Sequence, residues 1–285
     1  MILVAGITGR VGGAAARAIL KSGTPVRALV RSTSKAVAES LRAADIVQGD
    51  LGDRDSLGKA MAGVDTALLV APNSSGQLEL ERNFIDVAVA SGVRHVVKIS
   101  SMEAAPDAHA PFPMIHYAAE QHLKASGLKW TILQPNFFME NMFMFAKSIR
   151  EQRKFALPFG NARSASVCCN DVGEAAGVIL LDGSGHEGRT YRLTAGSLLS
   201  FAEIAEAFSR VCGTRVDYVD MDPEEFRLNM SRFVKSEWHV NAVCALFNEI
   251  KGGALEITTT DLQDLLRREP ESWEAFATRH RSEFC

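Results

Sequence analysis

Two stretches of the 285-residue chain carry residue types whose spacing can do chemistry. The first is Gly6-Ile-Thr8-Gly9-Arg10-Val11-Gly12, which follows the apolar run Ile2–Ala5 and precedes Ala14–Leu20. The apolar run reads as a buried strand and the alanine-rich stretch as a helix, so the glycines occupy a tight strand-to-helix turn. Glycine permits unusual dihedrals there and lets a ligand approach the backbone, while the free N–H groups of the helix's first turn attract negative charge. A dinucleotide pyrophosphate suits such a turn; an ordinary turn with helix-packing glycines is the plainer alternative. The second stretch is His116-Tyr117-Ala-Ala-Glu120. At helical spacing His116 and Glu120 share one face and are in reach of a hydrogen bond, which either orients a catalytic imidazole or pins the helix.

A third signal lies after the second strand, Pro25–Val30, where a dinucleotide-binding fold meets the adenosine ribose. An acidic residue there accepts hydrogen bonds from a free 2′-hydroxyl and repels a phosphate. Here the position holds Arg31, with Ser32, Thr33 and Ser34 beside it and Arg10 in the glycine turn. Two guanidiniums and several hydroxyls suit a 2′-phosphate, so the expected cofactor is NADP(H) rather than NAD(H).

The elements that must position these residues alternate along the chain. Strands are expected at Asp45–Gln48, Val64–Val70, His95–Ile99 and Trp130–Leu133. Helices are expected from Asp53 to about Met61, from Gln77 to Ser91 with Gly92 as its stop, and from about Met114 to Ser126. Met102–Pro113, with three of the chain's nine prolines, reads as a loop over the cleft. This is an α/β pattern: a Rossmann-type doubly wound parallel sheet with helices on both faces. Ligands in such sheets sit beyond the carboxyl ends of the strands. That rim gathers Gly6, Thr8, Gly9, Arg10, Val11 and Gly12, then Arg31 and Ser32, Asp50 and Leu51, Val70, Ala71 and Pro72, and Ser100 and Ser101.

Beyond residue 150 the alternation loosens. Short strands are expected at Phe155–Gly160, Ala165–Cys168, Thr190–Thr194 and Arg215–Val219. Helices are expected at Asn170–Leu181, from Ser200 (a capping-box start with Glu203) to about Val211, and around 223–230, 237–250, 261–268 and 270–281. The expected division is a dinucleotide-binding domain over 1–150, rejoined by segments around 165–195, and a smaller mixed α/β substrate lobe over 151–285.

Composition narrows the function classes. The chain is 47% apolar and 23% charged with a net charge of −3, which gives no basic footprint for nucleic acid. No apolar run approaches the roughly 20 residues of a membrane span, and the amino terminus lacks the basic start of a secretory leader. Five cysteines, odd in number and without metal-ligand spacing, read as reduced thiols of a cytoplasmic protein. No metal is expected, and the chain is expected to be a monomer or homodimer.

The sequence resembles the NmrA-like branch of the atypical short-chain dehydrogenase/reductases. The likeness rests on Gly6-x-x-Gly9-x-x-Gly12, Leu29-Val-Arg-Ser32, Gly49-Asp-Leu51, Ala60-Met-Ala-Gly-Val-Asp65, His116-x-x-x-Glu120, Thr131–Asn141 and Asp261–Leu265, and it spans nearly the whole chain. It implies a reductase using NAD(P)H on quinones, azo dyes, triphenylmethane dyes or iminium and enone compounds, or a cofactor-sensing regulator without catalysis. Most short-chain dehydrogenases use Tyr-x-x-x-Lys to exchange a proton with an alcohol or ketone; here Tyr117 is followed by Gln121. Acceptors that are already electrophilic need less help, so catalysis by positioning suffices for them. By place in the fold, His116 on the helix after the fifth strand falls near the expected nicotinamide, with Glu120 to orient its ring. A proton, where needed, is available from water, Tyr117 or His116. Pro135, Asn136, Phe137 and Phe138 are expected to line the nicotinamide and a flat aromatic or conjugated substrate. Lys98 is within reach of either a cofactor ribose or a carboxylate. The run from Phe137 to Phe145 is rich in aromatics and methionines, and its later members read as core.

Overall fold

In the computed structural model, which describes residues 1–32, 44–182 and 184–285, the first apolar run becomes β1 (Ile2–Val4) and the glycine turn leads into α1 (Arg10–Lys21). The series continues with β2 (Val26–Val30), β3 (Asp45–Gln48), α2 (Arg54–Met61), β4 (Thr66–Leu69), α3 (Gln77–Ala90), β5 (His95–Ile99), α4 (Pro111–Ala125) and β6 (Lys129–Pro135). The inner strands β1, β4 and β5 are apolar along most of their length because helices cover both faces of the sheet. Seven strands line up in the order β3-β2-β1-β4-β5-β6-β9, where β9 is Arg189–Leu193, and every neighbouring pair is parallel. The chain winds outward from β1 to β3 and returns to β4, so the strand order reverses between β1 and β4. That reversal opens a crevice at the carboxyl ends of the strands.

One face of the sheet carries α1 with α6 (Cys169–Asp182) and α10 (Asp261–Leu266), and the other carries α2, α3 and α4. Helices α1 and α6 cross closely. A Cβ added to Gly173 would stand 2.4 Å from the Ala14 Cβ and 2.6 Å from the Val11 carbonyl oxygen, so only glycine lets α6 approach this near. Helix ends follow their local chemistry. Asp53 accepts the N–H groups of Asp55 and Ser56 at the start of α2. Ser200 and Glu203 close the anticipated capping box of α7 (Phe201–Cys212).

The remaining chain packs around a third core. It contains a 3-10 helix (Met139–Phe145), α5 (Ala146–Gln152), β7 (Lys154–Leu157), β8 (Arg163–Ser164), β10 (Leu199–Ser200) and α7. It continues with β11 (Asp217–Asp220), α8 (Pro223–Ser231), α9 (Glu237–Lys251), α11 (Trp273–Arg279) and α12 (Arg281–Phe284). Strand β7 pairs in parallel with β11, and β8 pairs antiparallel with β10. Phe155, Phe159, Phe201, Phe208, Phe276 and Phe284 are fully buried at the centre of this core.

Several expectations are corrected. Cys212 and Cys285 form a disulfide across 73 residues of sequence, so three cysteines rather than five are free thiols: Cys168, Cys169 and Cys244. The packing of α12 against α7 brings the two together, and spacing along the chain holds no sign of it. Helix α4 begins at Pro111, not Met114, because proline fits a helix's first turn, whose N–H groups have no partner anyway. Residues 165–168 form no strand; Val167 makes an isolated bridge to Phe138. The last expected helix is two, broken between Arg279 and Arg281. No helix among the described residues is long and apolar enough to cross a membrane.

Candidate active site at the carboxyl ends of the strands

A cleft of about 290 Å³ opens at the reversal point, lined by Gly6, Thr8, Gly9, Arg31, Asp50, Leu51, Val70, Ala71 and Pro72, together with Ala5, Leu29, Val30, Gly49 and Leu80. Its floor is set by the glycine turn. Gly6 adopts φ +70°, and a Cβ there would lie 3.0 Å from both the Cβ and the carbonyl oxygen of Val70, so a side chain would meet both strain and the end of β4. The Gly9 N–H donates to the Gly6 carbonyl at 2.9 Å, folding the turn back on itself. A Cβ on Gly12 would strike that same carbonyl at 2.4 Å, so the first turn of α1 fits directly beneath it. No side chain caps α1 and no acidic residue occupies its first turn. The N–H groups at its amino end have no side-chain cap, and its N-cap residue Gly9 lines the cleft, so the helix dipole there favours an anion. At the far end of the cleft the Gln48 side-chain amide donates to the Arg31 carbonyl at 3.2 Å, tying the end of β2 to β3. Asp50 turns its carboxylate onto the Gly52 N–H at 2.8 Å, so this acidic side chain is engaged in its own turn.

Deeper in the sheet, on the face covered by α3 and α4, lies a buried polar network. Lys98 and Glu81 are fully buried and ion-paired at 2.9 Å. Lys98 also donates to the Ile99 carbonyl at 3.1 Å and to His116 Nδ1 at 3.1 Å. The Gln77 amide nitrogen lies 3.2 Å from Glu81 Oε1 and 3.3 Å from His116 Nε2. Burial first, and the Lys98 charge second, hold the His116 pKa well below the usual 6.5, so its imidazole is neutral. One turn further along α4, Glu120 accepts from the Ser100 hydroxyl at 2.6 Å and the Gln134 amide at 2.9 Å. His116 and Glu120 therefore do not pair. Each reaches a different partner on the sheet, because Lys98 and Ser100 are both buried and engage successive turns of α4.

The NmrA-like family model matches residues 1–277. The chain belongs to the NmrA-like family. It is 31% identical over 284 residues to an NAD(P)H azoreductase of Xenophilus azovorans, covering 100% of this chain and 99% of the relative. Its fold matches an NADPH-dependent quinone oxidoreductase from Escherichia coli solved with NADPH, with a TM-score of 0.89 at 24% identity over 99% of this chain and 100% of that one. It also matches a Citrobacter triphenylmethane reductase solved with NADP(H), with a TM-score of 0.85 at 24% identity over 98% and 99% of the two chains.

In this NmrA-like chain the other candidate residues do not gather in one place. Arg10 does not line the cleft with Arg31; its guanidinium lies over the Phe143 ring, 5.1 Å from the centroid. Thr33 and Ser34 lie outside the described residues, and Ser32, half-buried, follows Arg31. Asn136 and Phe137 turn inward rather than forming a wall. The Asn136 amide donates to the Leu255 carbonyl at 3.1 Å and its oxygen accepts from Ser164 at 2.7 Å, while Phe137 sets its edge against Phe159 and Phe201. Phe138 stays half-buried and Pro135 ends β6. Ser101 lies beside Glu103, whose carboxyl is pushed up to about 7 by burial. Tyr117 is half-buried on α4. Lys98 meets a carboxylate, Glu81, the second of its two expected partners. Cys168 and Cys169 are buried, and burial drives both thiols above their ordinary range. Ala5, Leu29, Val30, Gly49 and Leu80 also line the cleft but were not among the expected site residues, although Leu29 and Gly49 stand in the motifs of the resemblance. Gly49 fits because a Cβ there would stand 2.7 Å from Leu29 Cδ1.

Proposed function

We propose that the chain is a reductase that takes hydride from NADPH and delivers it to a flat electrophilic acceptor of the quinone, azo or triphenylmethane type. The observation that carries the cofactor half is the uncapped amino end of α1 at the strand reversal, with Arg31 at the far end of the same cleft. The pyrophosphate would lie against Gly9 to Gly12 and the 2′-phosphate against Arg31 and Ser32, with Asp50, Leu51, Val70, Ala71 and Pro72 enclosing the adenosine. The relatives' named activities support the reaction. The bound cofactor would supply the hydride; the chain's own task is to hold, orient and keep water out.

In this reading α4 positions rather than reacts. His116 is neutral and engaged by Lys98, and Glu120 fixes Ser100 at the carboxyl end of β5. These contacts set the height of Ser100, Ser101 and Pro135 against the nicotinamide. The proton that completes a reduction comes from solvent or Tyr117, because His116 is only 7% exposed. Residues from about 151 onward supply the substrate side, with segments around 165–195 belonging to the dinucleotide-binding domain. The test is NADPH consumption against a panel of quinones, azo dyes and triphenylmethane dyes. Turnover with at least one class is expected; tight NADPH binding without any turnover would favour a cofactor-sensing protein instead.

A further inference from the structure

Arg10 is the first residue of α1, and its exposed side chain makes no hydrogen bond or ion pair among the described residues. Its guanidinium rests on one aromatic ring, that of Phe143, 5.1 Å from the centroid. The acidic residue on the same 3-10 helix, Glu140, is taken by the Cys169 N–H at 2.9 and 3.0 Å. Phe143 is in turn held tightly. Phe284 stacks with it at 5.4 Å and 13° between planes, and His280 meets it edge-on at 4.9 Å. Phe284 is fully buried and stands next to Cys285, which the disulfide ties to Cys212 at the end of α7, with 5.1 Å between the Cα atoms. A continuous line of contacts thus runs from the covalently anchored carboxyl end to the first residue of the glycine-turn helix.

We propose that Phe143, backed by Phe284 and the Cys212–Cys285 link, is a positioning residue that holds the Arg10 guanidinium for the pyrophosphate of the dinucleotide. This rests on the NADPH reading above. A free guanidinium sweeps a wide volume, and setting it over a fixed ring removes that freedom before the ligand arrives. A pyrophosphate bound beside the amino end of α1 would be the anion nearest residue 10, whereas the 2′-phosphate would lie at the other end of the cleft, which Arg31 lines. The carboxyl-terminal disulfide therefore acts on cofactor affinity through aromatic packing, without touching the cleft.

The experiment titrates two ligands into each variant: NADPH, and adenosine 2′-monophosphate, which keeps the 2′-phosphate but has no pyrophosphate. Phe143→Leu is expected to weaken NADPH about five-fold, the order of one exposed cation–π contact, and to leave adenosine 2′-monophosphate unchanged. Phe143→Tyr, which keeps the ring, restores NADPH affinity. Cys285→Ser gives the same selective loss to a smaller extent. In an Arg10→Gln background Phe143→Leu adds nothing further. Equal weakening of both ligands by Phe143→Leu would show general damage to the cleft and overturn the proposal, as would unchanged NADPH affinity or an undiminished effect in the Arg10→Gln background. Failure of the wild-type protein to bind either ligand overturns the cofactor reading and this proposal with it.

Discussion

The basic residues near the crevice, similar on paper, take different roles once folded. Arg31 lines the cleft, Arg10 lies on Phe143, and Lys98 is buried against Glu81. In the proposed reading only Arg31 meets the 2′-phosphate: a cation follows β2 where an acidic side chain would repel phosphate. Arg31→Asp is expected to weaken NADPH by at least about tenfold, because it removes charge-assisted hydrogen bonds and adds a repulsive charge. NADH, without that phosphate, should bind nearly as before. Parallel titrations of the two nucleotides check this, and equal losses would remove Arg31 from the 2′-phosphate site. Arg31 was legible because its place at a strand end is fixed by the short hydrophobic run before it. The fate of His116 and Glu120 was not. Helical spacing puts them on one face, but Lys98 on β5 and Ser100 just beyond its end compete for them, and a helix's own sequence says nothing of what the neighbouring strand presents.

At the scale of elements, α1 does two jobs: its amino end faces the crevice and its flank packs on α6. Both depend on missing side chains. Gly173→Ala places a Cβ 2.4 Å from Ala14 Cβ and 2.6 Å from a backbone oxygen, so the helices must part. The expected cost is about 1–3 kcal/mol of stability, with weaker NADPH binding as α1 shifts. Gly58, inside α2, is the contrasting case: no atom lies within 4 Å of an added Cβ. Gly58→Ala should stabilise by roughly 0.5–1 kcal/mol, because alanine has less chain entropy to lose in a helix. Thermal unfolding of the two variants decides; the same sign of shift in both would contradict the packing described. Strands and helices of the sheet were readable from periodicity and stop signals, and the Ser200–Glu203 capping box from four residues alone. The start of α4 was not, because Pro111 and Pro113 signal a break inside a helix but are at home in its first turn.

For the whole molecule, the buried titratable groups set how stability follows pH. His95 and His116 both have pKa values below 6.5, chiefly through burial, so the unfolded chain binds more protons than the folded one once pH falls below about 6.5. Stability from these groups is complete above that pH and is lost on acidification, by up to about 1.4 kcal/mol per pH unit for each proton. Glu103 acts oppositely. Its carboxyl, raised from 4.5 to about 7, keeps a proton in the folded state that the unfolded chain has released. Its contribution is complete below pH 4.5 and is lost as pH rises through 7. Between pH 4.5 and 6.5 the two effects oppose each other. Urea midpoints across this window should therefore fall more steeply with acid in Glu103→Gln than in the wild type, and less steeply in His116→Asn. An unchanged slope in Glu103→Gln would mean that its carboxyl titrates normally.

Local signals in the sequence were enough to set the parallel sheet, the glycine turn, several residues that line the cleft up to β4 and the resemblance to the NmrA-like family. Each of these depends on residues close together in the chain: apolar runs of strand length, glycines where the backbone must bend, a charge at a strand end. Tertiary structure alone decided the Cys212–Cys285 bond, the separation of Arg10 from Arg31, the inward turn of Asn136 and Phe137, and the partners of His116 and Glu120. These depend on which distant segment arrives alongside, and a side chain's partner is set by the nearest competing donor or ring in space, which sequence spacing does not encode.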